Sequence, residues 1–153
     1  MKTKIFCDIA DIKQIKKFNK KTLVKGFTTN PSLMRKAGAK DYKSYCKKIL
    51  KICKNKPVSV EVFADDYQNM KRQALLINKW AKNVYVKIPV VNSKGLFMGK
   101  LIKELNKTGL INGITTNPSL VAKSGKNFLE TNKLILKKCP QMNTIRWLLE
   151  VKA

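Results

Sequence analysis

Lys87 is the residue whose chemistry stands out, because it sits inside an apolar run, Val84-Tyr-Val-Lys-Ile88. Burial of an amine among such neighbours disfavours its charged form. A neutral amine can attack a carbonyl and form a Schiff base. With 33 basic residues in the chain, the opposing reading is that one lysine falls in a strand by chance and carries its ammonium out to solvent. Asp8 and Glu61 lie at or near the ends of two other short apolar runs. Two carboxylates and an amine on neighbouring strands can divide proton transfer and nucleophilic attack between them. Alternatively, Asp8 caps a following helix and Glu61 decorates a solvated strand face. The string Thr28-Thr29-Asn30-Pro31-Ser32 offers hydroxyls and an amide suited to a polyol. It also reads as a turn, with Asn-Pro as initiator and Ser32 as helix cap.

These residues need elements to hold them, and the pattern supplies an alternation. Lys4–Asp8 reads as a strand, followed by a helix from about Asp11 with Ile12, Ile15 and Phe18 on one side. Leu23–Phe27 reads as a second strand. Tyr42, Cys46, Ile49, Leu50 and Cys53 recur at helical spacing. Val58–Phe63 is a third strand, and a helix from about Asp66 turns Met70, Ala74, Ile77 and Ala81 inward. Val84–Ile88 is a fourth strand, closed by Pro89, and a shorter helix holds Leu101, Ile102 and Leu105. Strand and helix alternate throughout, which specifies an α/β chain with parallel strands. In such sheets active sites form at the C-terminal strand ends.

Composition narrows the classes. At 153 residues and 44% hydrophobic, the chain is long enough for one domain with a real core, and it is neither disordered nor collagen-like. Its apolar runs are too short to span a membrane. Asp8 arrives too early for the apolar stretch of a secretion signal. The absence of histidine removes His-based triads and the commonest zinc ligand. Four cysteines without CxxC spacing point to a reduced, cytoplasmic setting. The net charge of +24 raises the question of nucleic acid. Yet only Arg35, Arg72 and Arg146 are arginines, and the lysines are spread along the whole chain. Specific nucleic-acid readers favour arginine forks, so specific nucleic-acid binding is not expected.

An internal repeat organises the rest. Gly26-Phe-Thr-Thr-Asn-Pro-Ser-Leu33 returns as Gly113-Ile-Thr-Thr-Asn-Pro-Ser-Leu120, an offset of 87. Phe128, Ile135, Leu136 and Cys139 follow as the counterpart of the Tyr42–Cys53 helix, slipped by one residue. Glu61-Val62 and Ala64 reappear as Glu150-Val151 and Ala153 after a two-residue insertion. The chain therefore divides into units one to four over residues 1–112 and a repeat of units two and three over 113–153, in the same domain or as a loosely packed tail. A (β/α)8 barrel takes about 250 residues, or roughly 30 per unit. This chain has room for five to six parallel strands, a partial barrel that cannot close by itself. Open sheet edges invite pairing with another copy, so a homo-oligomer is expected.

Asp8 on a first strand, Thr28-Thr-Asn-Pro-Ser-Leu33 after a second, Glu61 on a third and Val86-Lys-Ile-Pro89 on a fourth resemble the transaldolase family. The likeness is to its small single-barrel members, among them the fructose-6-phosphate aldolases, and runs over residues 1 to about 112. The resemblance implies an enzyme, a transaldolase-type transferase acting on sugar phosphates without metal or organic cofactor. Lys87 would be the Schiff-base lysine, Asp8 the acid/base of carbon–carbon cleavage, and Glu61 the residue that activates water. Thr29, Asn30 and Ser32 would bind substrate, with Thr29 and Asn30 on the dihydroxyacetone part. Glutamate at position 61 favours transaldolase over the aldolases, which tend to carry glutamine there. Ile9 departs from the family's usual small hydroxylated residue. Strands five to eight are missing, and with them the Ser and Arg that grip the substrate phosphate. Ile111-Asn112 begins like the family's fifth strand and then runs into the repeat. Arg146, in the repeated third strand, is not a candidate for the phosphate role, and Asn117 and Glu150 are read as structural echoes.

Overall fold

The structure is a computed structural model and describes residues 4–90, 92–107, 114–116, 127, 130 and 145–149. Six parallel strands and five helices are defined in it. The strands are β1 (Ile5–Asp8), β2 (Val24–Thr28), β3 (Val58–Glu61), β4 (Val84–Lys87), β5 (Ile114–Thr116) and β6 (Ile145–Leu149). The helices are α1 (Ile12–Asn19), α2 (Pro31–Lys36), α3 (Tyr42–Ile52), α4 (Tyr67–Asn78) and α5 (Gly99–Lys107). The sheet order is β4-β3-β2-β1-β6-β5. It is an α/β fold with an open sheet, a partial barrel as the alternation requires.

Helix starts are set by short polar side chains. Asp11, Asp41 and Asp66 cap α1, α3 and α4, each accepting from a backbone N–H three residues on. α2 begins at the Asn-Pro-Ser string, where a turn with Ser32 as helix cap is expected from the sequence, and its cap differs from that expectation. Asn30 Oδ1 accepts from Leu33 N at 2.9 Å and Pro31 opens the helix, so Ser32 lies inside the first turn. Proline at the first helical position costs nothing, because its missing N–H would have had no partner there. Strand limits also move. Leu23 is exposed at 67% in the turn that leads from α1 into β2, and Phe63 is exposed beyond β3, where the chain turns towards α4. The expected inward Ala81 falls beyond α4 and is half-buried.

Register sorts the strand residues onto two faces, since paired residues on neighbouring strands share a side. Cys7 pairs with Phe27, Phe27 with Val58, and Val58 with Val84. This face packs under the helices with Ile15, Met34, Cys46, Ile49, Met70 and Leu101 as the core. The opposite face reads Phe6 and Asp8, Gly26 and Thr28, Ser59 and Glu61, Tyr85 and Lys87. Gly26 is required there by a close approach: a Cβ at that position would stand 2.1 Å from Phe6 Cε1.

The repeat enters the sheet on the far side of β1. β6 pairs with β1 through Phe6–Leu148 and Cys7–Leu149, and β5 pairs with β6. Ile114 opposes Ile145, as Phe27 opposes Val58. Both members of the pair are displaced by the same 87 positions, so the ladder ignores the two-residue insertion suggested by the sequence match. By this register the counterpart of Glu61 is Leu148, not Glu150. An even slip keeps the inward and outward sets of a strand intact, which lets the sheet accept either alignment. Apart from Glu130, the expected second-copy helix from Phe128 to Cys139 lies outside the described residues, as do Asn117 and Glu150.

Candidate active site

The last residues of the first four strands are Asp8, Thr28, Glu61 and Lys87. All four belong to the polar face. The sheet thus brings the three expected chemical residues to one C-terminal edge, each placed by the point where its own strand stops. Ladder hydrogen bonds continue just past these ends and hold them level: Ile9 N donates to Thr28 O, Thr29 N to Ser59 O, and Val62 N to Lys87 O, at 3.0–3.1 Å.

Lys87 Nζ lies 3.1 Å from Glu61 Oε2, and their side chains are 21% and 31% exposed. Lys87 is half-buried rather than enclosed in the apolar run, and one of the two expected carboxylates, on the adjacent strand, stands against its nitrogen. The reason is register: Glu61 and Lys87 are direct partners across the β3–β4 ladder. Asp8 stands at the other end of the row, three strands away and half-buried. Neighbouring strands are about 4.8 Å apart, so curvature of the sheet governs the span between Asp8 and Lys87.

The remaining candidates lie around β2. Thr29 is buried and its hydroxyl makes no hydrogen bond. Asn30 is half-buried, with its oxygen committed to the α2 cap and its amide N–H2 left to donate. Ser32 is exposed on α2. Thr28 belongs to the polar string singled out in the sequence but not to its expected substrate-binding residues. It opposes Asp8, is 2% exposed, and its hydroxyl also makes no hydrogen bond in the protein. Period-two counting from Gly26 would have placed it on the polar face. Ser59, 6% exposed between Thr28 and Tyr85 in register, was missed for the same reason.

No group of three or more metal-ligating side chains occurs among the described residues. A groove of about 490 Å³ runs along α5 between Tyr67, Phe97 and Lys103, but none of the strand-end residues lines it. The thiols among the described residues are not reactive candidates, since burial raises Cys7, pushes Cys53 up to about 11 and pushes Cys46 up to about 12. No helix among the described residues is long and apolar enough to cross a membrane.

A parallel β/α sheet with amine and carboxylates gathered at its C-terminal strand ends has the layout of a (β/α)-barrel enzyme. The chain belongs to the transaldolase/fructose-6-phosphate aldolase family, whose profile matches residues 5–101. It is 44% identical over 107 residues to a probable transaldolase of Dehalococcoides mccartyi, covering 70% of this chain and 48% of that protein. Probable transaldolases of Methanococcus vannielii and Brucella ovis are 39% and 38% identical over 127 residues, 82% of this chain and 58% of theirs. The chain spans about half the length of the curated relatives it matches.

Proposed function

We propose that the chain carries out transaldolase-type transfer of a dihydroxyacetone unit between sugar phosphates of carbohydrate metabolism, in the cytoplasm, through a Schiff base on Lys87. The observation that carries this reading is the Lys87–Glu61 contact on the strand-end row that also holds Asp8. The Lys87 amine adds to the ketose carbonyl and water leaves, giving the imine. Asp8 takes the proton of the C4 hydroxyl as the C3–C4 bond breaks, and the electron pair passes into the imine. The aldose phosphate departs, and the three-carbon enamine stays on Lys87. An acceptor aldehyde reverses the sequence, and its new hydroxyl receives the proton from Asp8. Glu61 holds the water of the imine steps and relays its proton. Thr29, Asn30 and Ser32 bind the polyol. Glutamate at position 61 supports transfer over simple aldol cleavage, the activity of the family's aldolase members. Residues 1–112 carry the chemistry in this scheme, β5 and β6 extend the sheet beyond β1, and a second copy completes the assembly.

Incubation with fructose 6-phosphate, borohydride reduction and peptide mass mapping test it. A three-carbon adduct on the peptide containing Lys87, lost in Lys87→Ala, is expected. A folded protein that yields no adduct would reduce the family membership to ancestry without activity.

A further inference from the structure

Catalytic geometry is lost over shifts of well under an ångström, so the residues that hold a catalytic side chain matter as much as the side chain. Glu61 is the last residue of β3, and Tyr42, in the first turn of α3, donates its hydroxyl to Glu61 O at 2.7 Å. The ring is itself held. Phe63 meets it edge-on at 5.2 Å and 75°, and Trp80 at 6.4 Å and 61°. Asp41 caps the helix immediately before it. On the other side of Glu61, Gln73 Oε1 accepts from Phe63 N and Ala64 N, both at 3.0 Å. The Glu61 peptide is thus anchored from α3 and the following loop from α4, with no strand lying beyond β4 among the described residues.

We propose that Tyr42 is a positioning residue, whose hydrogen bond to the Glu61 carbonyl sets the Glu61 carboxylate against Lys87 and makes the β3–β4 end of the site self-supporting in this open sheet. The proposal deepens the transaldolase reading. Its partner groups lie within units two to four: Tyr42 on α3, Glu61 on β3 and Lys87 on β4.

The test is trace reductive methylation with formaldehyde and cyanoborohydride, read lysine by lysine. While the Glu61 carboxylate stands against Lys87 Nζ, the nitrogen is shielded from the probe. Tyr42→Phe keeps the ring and removes the hydroxyl. It is expected to raise Lys87 labelling about three- to tenfold, the range a single hydrogen bond supports. Lys56, whose ammonium donates to Asn19 O at 2.7 Å and Lys21 O at 2.9 Å, reports on general loosening and is expected to stay unchanged. Tyr45→Phe, which loosens α3 from Ala10 O instead, is expected to leave Lys87 unchanged. In a Glu61→Gln background the Tyr42→Phe effect is expected to vanish. Equal Lys87 rates in wild type and Tyr42→Phe, a parallel rise at Lys56, or an undiminished effect in Glu61→Gln would each overturn the proposal. No sugar enters the assay, so a chain that forms no ketose adduct refutes the transaldolase reading without touching this one. In a chain that does form the adduct, Tyr42→Phe is expected to slow its formation while leaving the half-saturating ketose concentration unchanged.

Discussion

Lys87 and Glu61 illustrate how little a partly exposed ion pair contributes to stability and how much it can contribute to chemistry. Pairs of this exposure are worth about 0–1 kcal/mol, because solvent screens them and two long side chains must be ordered. Glu61→Gln is therefore expected to shift the urea midpoint by less than about 1 kcal/mol of stability. The same substitution is expected to speed methylation of Lys87, because the amine is released, and to slow ketose adduct formation, because the proton relay is gone. A Glu61→Gln variant that traps the ketose as fast as wild type would remove Glu61 from the mechanism. Thr28 and Thr29 belong to this scale too. Buried hydroxyls without partners are costly unless something satisfies them, and a polyol can do so. Thr28→Val is expected to leave the fold intact and to raise the ketose concentration needed for half-maximal adduct.

Among the elements, β2 and α3 carry the tightest constraints. Gly26 lies beneath the Phe6 ring on the polar face. Gly26→Ala is expected to lower stability by about 1–3 kcal/mol, the usual cost of overpacking, in denaturant titration. Combination with Phe6→Leu is expected to recover part of that loss. α3 turns Cys46 inward, with Cys53 at its end, and burial holds both thiols protonated, up to about 12 and about 11 against an ordinary 9.0. A raised folded value means stability is fully present below the unfolded value and lost as pH rises towards the folded one. Stability is expected to fall from about pH 9 upward, at about 1.4 kcal/mol per pH unit for each thiol. Urea midpoints between pH 8 and 10.5 check this, and a Cys46→Ala/Cys53→Ala chain is expected to show the shallower slope.

For the whole molecule, charge and sheet edges pull in opposite directions. The chain carries 9 acids against 33 bases. Asp8 and Glu61 sit at the strand ends, Asp11, Asp41 and Asp66 cap helices, Asp65 accepts from Ser93, and Glu104 bridges Lys71 and Tyr67. Seven acids thus have particular positions in the structure, and few are left to balance the lysine-covered surface. A charge of +24 opposes self-association at low salt, while β4 and β5 are the sheet's edge strands among the described residues. Screening shortens from about 30 Å at 0.01 M salt to about 3 Å at 1 M. Light scattering is therefore expected to report a larger mass at high ionic strength than at low. A mass independent of salt would show that neither edge mediates assembly.

Periodicity and turn chemistry determined much of this protein from the sequence alone. Alternating apolar runs specified parallel strands and outer helices, because burial on two faces leaves no other arrangement for such segments. Asp8, Glu61 and Lys87 were legible as candidates because polar residues at the ends of apolar strands stand out against their neighbours. The Asn30 cap and the separate helix α2 were less legible, since Asn-Pro-Ser serves a turn and a helix start equally well. Only the tertiary structure decided the rest. Register between strands is set by packing across a sheet, and it put Glu61 against Lys87, Thr28 against Asp8 and Leu148 at the place the sequence match had given to Glu150. The tyrosine that anchors Glu61 lies 19 residues before it in the chain, a distance closed only when α3 packs behind β3.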